Sequence, residues 1–362
     1  MGNRQTCRRP AGTHHEGGRV TTSPQGLDLY ALQTYLSSHV REVTGPIEAD
    51  LMHGGRSNLT YRITDGTHAW VLRRPPLGGL TPSAHDMGRE FRIVDALQDT
   101  GVPLARTVAL CEDPNIIGAP FSLVSHVDGT VLRTREDLDD LATTDVEECA
   151  FALVDVLATL HSIPYQEVGL DGFGRPQGYL GRQVRRWRDQ WQRVATRELP
   201  DIERLQARLE THVPDESDAS IVHGDARIDN AILDPAELGT VRALVDWEMA
   251  TLGDPLADLG LHLVYRDPAF APVLGGSAAS TDERMPSRDA LAERYARARG
   301  RDLSQLDFYL ALGYFKIAVI AEGIHARHAA GLTVGHGFET VGRAVPQLAA
   351  AGLRTLTERS TL

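Results

Sequence analysis

The chain has 362 residues, 42% of them hydrophobic and 24% charged, which is long and apolar enough to bury a sizeable core and to form two lobes. A formal net charge of -12 leaves no basic stripe to release counterions, so a general nucleic-acid binder is excluded and any anionic ligand must be held by a local site. No apolar run approaches the roughly 20 residues of a bilayer span, and no basic start leads into a short apolar core, so a cytoplasmic protein with no membrane partner is expected.

Residues 1–25 are polar, glycine-rich and aperiodic, and read as a disordered leader. From Leu27 the spacing of Leu32, Leu36 and Val40 predicts an amphipathic helix. IEADLM then reads as a short strand, HGGRSN as a polar loop, and LTYRITDGTHAWVLRR as a hairpin with a tight primed turn at Asp65-Gly66. Alternation on its second strand puts Ala69, Val71 and Arg73 on one face and Trp70, Leu72 and Arg74 on the other. SAHDMGREFRIVDALQDT is helical by spacing, with a stripe of Phe91, Val94 and Leu97 and Glu90 beside it. Two further strands are expected in VPLARTVALCED and APFSLVSHVDG.

Beyond Gly129 the pattern is mainly helical, in DLDDLATTDVEECAFALVDVLATLHSI, RQVRRWRDQWQRVAT and QLDFYLALGYFKIAVIAEGIHARHAAG. The acidic stretch REDLDDLATTDVEE reads as a solvated helix face. Trp187 and Trp191 are expected in the core. Cys7, Cys111 and Cys149 are odd in number and lack ligand spacing, so neither a disulfide framework nor a zinc site is indicated.

The stretch IVHGDARIDNAILDP, Ile221 to Pro235, sets a dense polar cluster between apolar runs. Unpaired charge in such surroundings costs several kcal/mol, so the cluster must be hydrogen-bonded or must hold something charged. Asp225 and Asn230 are five apart, and Asp246 follows twenty-one residues after Asp225, at the end of a short strand formed by ALV. An Asp, an Asn and a second Asp offer hard oxygen ligands and a proton acceptor, a set suited to magnesium and phosphate rather than zinc or copper. Phosphoryl transfer needs this kind of help: charge neutralisation on the phosphates and a carboxylate to orient the attacking hydroxyl.

His-Gly-Asp, four residues, Asn, and then VDWE closely resemble the aminoglycoside phosphotransferase and choline kinase superfamily of small-molecule kinases. The resemblance covers most of the chain from about residue 27. VLRRPPLGGLTPSAHDMGREFRIVDAL and DWEMATLGDPLADL are particularly similar to the kinase-like domains fused to some acyl-CoA dehydrogenases and to their free-standing bacterial relatives, and the composition suits a high-GC bacterial genome. The resemblance implies an α+β, protein-kinase-like fold of two lobes. A small antiparallel sheet with one key helix would form a nucleotide-binding lobe over residues 26–127, and a larger, mainly helical lobe would carry catalysis and substrate over 128–355.

It also implies roles. Asp225 would orient the substrate hydroxyl, Arg227 would touch the transferred phosphate, and Asn230 and Asp246 would hold Mg2+ against ATP or another nucleotide. Gly55, Ser57 and Asn58 would offer donors to phosphate, and Ser125 to Val127 would form the linker that binds adenine through its backbone. His223 would brace the loop. Asp254 and Asp258 read as structural, through caps and loop hydrogen bonds. The family's strand lysine is replaced by Arg73, opposite Glu90, and Lys316, the only lysine among 37 basic residues, lies in a C-terminal helix. Arginine is permanently charged and binds phosphate through a planar fork, so the pair retains charge but not lysine's geometry. Two readings follow: a kinase acting on a small-molecule hydroxyl, with a hydroxy acid, a hydroxyacyl-CoA or an aminoglycoside-like acceptor, or a nucleotide-binding pseudokinase with a regulatory role.

Overall fold

The computed structural model describes residues 24–52, 58–77, 86–215, 218–333 and 337–358. The expected leader up to residue 23 and the proposed phosphate-loop residues Gly55 and Ser57 lie outside them.

Helix α1 (Leu29–His39) opens on Asp28, whose carboxylate accepts the Ala31 N–H at 3.0 Å, and buries Leu29, Leu32 and Leu36. It packs on a five-stranded antiparallel sheet made of β1 (Glu48–Leu51), β2 (Leu59–Thr64), β3 (Ala69–Arg74), β4 (Thr107–Cys111) and β5 (Phe121–Ser125), in the order β1-β2-β3-β5-β4. The parity of β3 is as the alternation requires, with Trp70, Leu72 and Arg74 buried and Val71 and Arg73 on the opposite face. The hairpin between β2 and β3 differs from the expected primed turn. Thr64 pairs with Ala69, leaving four connecting residues, of which only Gly66 has a positive φ. The Asp65 carboxylate accepts the N–H groups of Thr67 and His68, so side-chain capping replaces a two-residue turn.

Helix α2 (Met87–Ala96), capped by Asp86, follows β3 in the chain. Its buried face is Met87, Glu90, Ile93 and Val94, whereas Phe91 is only half-buried and faces the cleft between the lobes. The stripe is therefore rotated from the expected one toward Ile93. The cause is the surface it meets: Ile93, Val94 and Leu97 join the large core of the C-terminal lobe rather than the core of the sheet. Arg89 fastens this contact by donating to the carbonyls of Phe173 at 2.7 Å and Ala250 at 3.0 Å.

The C-terminal lobe contains α3 (Thr143–Ser162), α4 (Tyr179–Val194), α5 (Pro200–Thr211), α6 (Pro255–Val264), α7 (Arg288–Arg299), α8 (Leu306–Ala329) and α9 (Val341–Glu358). Between α5 and α6 run two short antiparallel ribbons, β6 (Ser220–Val222) with β9 (Thr251–Gly253) and β7 (Ala231–Leu233) with β8 (Val241–Leu244). The acidic stretch is not helical from its start. Asp137 accepts the N–H groups of Arg133 and Thr134 and closes a 3₁₀ turn at Glu136–Leu138, and α3 begins only at Thr143. Helix α8 is long and apolar enough by length and composition to cross a membrane, but 72% of its apolar window is buried inside the molecule as the core of this lobe. Trp187 and Trp191 are buried in the same core.

Candidate active site

The two ribbons carry the polar cluster. β6 ends at Val222 and β7 starts at Ala231, so His223 to Asn230 form the loop between two buried strands, and Ile221, Ala231 and Leu233 anchor it from inside. Gly224 has φ +82°, and a Cβ there would lie 2.9 Å from the Met249 carbonyl, so glycine is required at this turn. β8 ends at Leu244, one residue short of the expected ALV strand, and the Val245 N–H donates to the Asn230 carbonyl at 2.9 Å, tying strand exit to loop. Asp246 then takes φ +67°, the one positive φ outside glycine among the described residues, which turns its carboxylate into the cleft.

The cleft encloses about 590 Å3 and gathers residues from both lobes, including Asn58, Arg73, Glu90, Asp225, Asn230 and Asp246. Its inner wall is apolar, with Val71 and Val124 from the sheet facing Val94 and Leu244. Arg73 reaches across the lobes: Nη1 pairs with Glu90, and Nη2 lies 2.9 Å from the Asp246 Oδ1. Burial pushes the Glu90 carboxyl up, against the opposing pull of Arg73. Burial also works against the Arg73 charge, but the carboxylates of Glu90 and Asp246 outweigh it. Asn58, just outside the undescribed segment, is buried and donates to Glu248 at 3.4 Å.

Asp225 is held on both oxygens. Tyr265 donates its hydroxyl to Oδ1, Arg227 Nε lies 3.2 Å from the same oxygen, and Asn230 Nδ2 donates to Oδ2 at 3.2 Å. Arg227 also pairs with Asp229 at 3.0 Å, so two carboxylates engage it and raise its pKa against the effect of burial. The expected phosphate contact thus begins from a guanidinium already bridging two acids.

His223 is fully buried, its Nε2 donating to the Val245 carbonyl at 3.1 Å and its Nδ1 accepting the Asp225 N–H at 3.3 Å. Burial lowers its pKa, in keeping with a neutral ring in that role. Beneath the loop the buried Asp258 accepts the N–H groups of His223 at 2.6 Å and Gly224 at 2.8 Å, and His161 Nε2 lies 3.2 Å away. Burial opposes the Asp258 charge, yet these donors hold its carboxyl at about 2.

At the presumed linker, Ser125 lines the cleft, but its N–H donates to the Arg106 carbonyl at 2.8 Å and its hydroxyl accepts the Arg106 N–H at 2.9 Å. The His126 N–H is likewise engaged, by the Ala69 carbonyl at 3.0 Å. Ser125 therefore closes the sheet rather than offering its amide to a base, and Val127 carries the next N–H along. Sequence reasoning missed two contacts. Lys316, far along the chain on α8, donates to the Gly224 carbonyl at 2.9 Å, and burial lowers its pKa. Tyr265, forty residues beyond Asp225, had no signal in spacing or motif.

Do these residues fit a nucleotide and a divalent metal? Asn58 Oδ1, Arg73 Nε and Glu90 Oε2 are buried at the cleft and have no hydrogen-bond partner among the described residues, where they are three of five such side-chain atoms. Asn230 has Nδ2 engaged with Asp225, which leaves its amide oxygen, a hard donor, available, and one Asp246 oxygen is outside the Arg73 pair. Both donors suit a small hard cation beside phosphate.

A two-lobed, protein-kinase-like fold with an Asp, Asn and Asp constellation at the lobe junction defines a small-molecule phosphotransferase. The chain belongs to the phosphotransferase enzyme family, whose model matches residues 49–309. It is 34% identical over 338 residues to human acyl-CoA dehydrogenase family member 11, covering 91% of this chain and 43% of that protein. It is 37% identical over 306 residues to mouse acyl-CoA dehydrogenase family member 10, covering 83% of this chain and 28% of that protein. The chain thus spans less than half the length of these curated relatives. Among solved structures, a Ralstonia eutropha protein described provisionally as an aminoglycoside phosphotransferase superposes with a TM-score of 0.78 at 30% identity, over 92% of this chain and 99% of that one. A spectinomycin phosphotransferase solved with ADP and spectinomycin shares the fold, with a TM-score of 0.58 at 13% identity over 91% of this chain and 99% of its own.

Proposed function

We propose that the chain transfers the γ-phosphoryl group of ATP to a hydroxyl of a small molecule. The observation that carries this reading is the convergence of Asp225, Asn230, Asp246 and Arg73 on one cleft. The acceptor oxygen bonds to the γ-phosphorus, the bond from that phosphorus to the bridging oxygen breaks with its electrons going to ADP, and the hydroxyl proton passes to the Asp225 carboxylate. Such a transition state is loose, so positioning and charge stabilisation supply most of the catalysis. Asp225 aligns the acceptor, a contribution of about 10²–10⁴-fold. Arg73 takes the nucleotide phosphates with its fork while Glu90 holds it in place, and Arg227, poised between Asp225 and Asp229, turns toward the transferred group. Magnesium, held by Asn230 and Asp246, would neutralise the phosphate oxygens. The Val127 amide and the apolar wall around Val71 and Val124 suit a purine.

Similarity to the acyl-CoA dehydrogenase-linked proteins favours a hydroxy acid or hydroxyacyl-CoA as acceptor, with an aminoglycoside-like compound as the other class. One observation favours the pseudokinase reading: the Arg73 fork sits on Asp246, a proposed metal ligand. Incubating the protein with ATP, magnesium and a panel of hydroxylated metabolites, with Asp225→Ala in parallel, decides between the two. Phosphorylated product that falls at least a hundredfold in the variant supports the kinase; equal rates in both proteins sink it.

A further inference from the structure

Tyr265 follows the last turn of α6, 3% exposed and outside the lining of the cleft, so it does not reach a substrate. Its ring is fixed: it packs on Phe270 with centroids 4.7 Å apart, the Arg227 guanidinium stands 5.7 Å above it, and its own carbonyl accepts the Ser280 hydroxyl at 2.7 Å. From that seat its hydroxyl donates to the Asp225 Oδ1. Burial first, and then the Asp225 charge, push the phenol well above its ordinary range, so it remains a neutral donor.

We propose that Tyr265 is a positioning residue for phosphoryl transfer, fixing the rotation of the Asp225 carboxylate from behind while Asn230 holds its other oxygen. A carboxylate on a two-bond side chain is free to rotate, and only one orientation presents a lone pair along the line from acceptor to phosphorus. Asn230 and Arg227 hold the carboxylate from within the loop itself, Asn230 on Oδ2 and Arg227 Nε within 3.3 Å of both oxygens; Tyr265 adds a donor to Oδ1 from outside the loop, and the Arg227 guanidinium lies 5.7 Å from the centre of its ring. The donor comes from an α-helix end rather than from the loop, so the catalytic carboxylate is tied to the rigid lobe independently of its own strands.

This inference rests on the reading of Asp225 given above, and a double-mutant cycle separates the two. Wild type, Tyr265→Phe, Asp225→Ala and the double variant are compared for ADP release from magnesium ATP with water as acceptor, and for thermal midpoint. Tyr265→Phe is expected to lower kcat about tenfold, the effect of one charge-assisted hydrogen bond, with KM for ATP within about twofold. In the Asp225→Ala background the same substitution is expected to change neither kcat nor midpoint further, because the shared bond is already gone. A kcat within twofold of wild type for Tyr265→Phe, or equal losses in both backgrounds, overturns the inference while leaving Asp225 intact. Indistinguishable wild type and Asp225→Ala rates overturn the reading of Asp225 and the inference with it. Where the Asp225→Ala rate is too slow to follow, additive midpoint losses in the double variant refute the coupling.

Discussion

Replacing Asp258 by Asn tests what holds the loop from His223 to Asn230. The carboxylate is 3% exposed and serves three donors: Oδ2 takes the His223 N–H at 2.6 Å and His161 Nε2 at 3.2 Å, and Oδ1 takes the Gly224 N–H at 2.8 Å. A carboxamide supplies one oxygen, so its NH2 must face an N–H that it cannot satisfy. Losing one charge-assisted bond and orphaning a buried backbone donor, with the charge opposite His161 removed, costs about 3–5 kcal/mol. The pH dependence gives an independent scale. A folded-state value of about 2 against an ordinary 3.8 contributes roughly 2 kcal/mol to stability at neutral pH. Because the folded value is depressed, that contribution is present above pH 3.8 and is lost as pH falls through 2. Urea unfolding followed by tryptophan fluorescence should therefore give a gap of about 3–5 kcal/mol between wild type and Asp258→Asn at pH 7, narrowing toward pH 2. A gap below about 1 kcal/mol at pH 7, or one that does not narrow in acid, would refute the assignment of Asp258 as the loop's anchor.

Arg73→Lys keeps the charge but cannot span Glu90 and Asp246 at once, so the nucleotide-free protein should lose about 1 kcal/mol, roughly 1–2 °C in midpoint, and differential scanning fluorimetry with and without magnesium ADP should show the deficit shrinking when nucleotide is bound. An undiminished deficit in the bound state argues against Arg73 exchanging Asp246 for phosphate. Gly224→Ala forces a side chain into φ +82° with a Cβ 2.9 Å from the Met249 carbonyl; a loss of about 2–3 kcal/mol in unfolding free energy is expected, and a loss under about 1 kcal/mol would mean that the turn relaxes.

What was legible in the sequence is what chemistry spaces along one short stretch. Asp225 and Asn230 share a loop, and Asp246 follows the next strand, so local order preserves their relation. Arg73 was legible because a strand alternates, and Glu90 because the resemblance pairs the two. The rest depends on which surfaces meet. α2 rotates its buried face to Ile93 because it packs on the C-terminal lobe as well as beside the sheet, and no periodicity of ten residues reports a partner surface. Ser125 closes the sheet because Arg106 lies opposite, nineteen residues upstream. The Asp65-Gly66 pair suits a two-residue turn, yet the β2–β3 register leaves four residues and the Asp65 carboxylate caps them. Lys316 and Tyr265 reach the loop from α8 and from the end of α6, at separations where sequence spacing carries no geometric information.

The cleft's own charges bear on why the polar cluster can be internal. Glu90, Asp225, Asp229, Asp246 and Glu248 line it against Arg73, Arg133 and Arg227, so carboxylates outnumber guanidiniums at the place where a polyphosphate is proposed to bind. Without ligand, this excess is partly offset by sharing: Arg73 serves Glu90 and Asp246, and Arg227 serves Asp225 and Asp229, so each of these two cations is shared by two acids and a net negative charge remains. On the proposed function, such a site would repel a bare nucleotide and accept one that brings its own positive charge, which would both offset the acids and free the guanidiniums to turn toward phosphate. The acidity of the cleft and the two acid partners of Arg73 and of Arg227 are thus two sides of one requirement. The cations must be shared among the acids in the empty protein, and on the proposed function they would be shared differently once a metal nucleotide is bound.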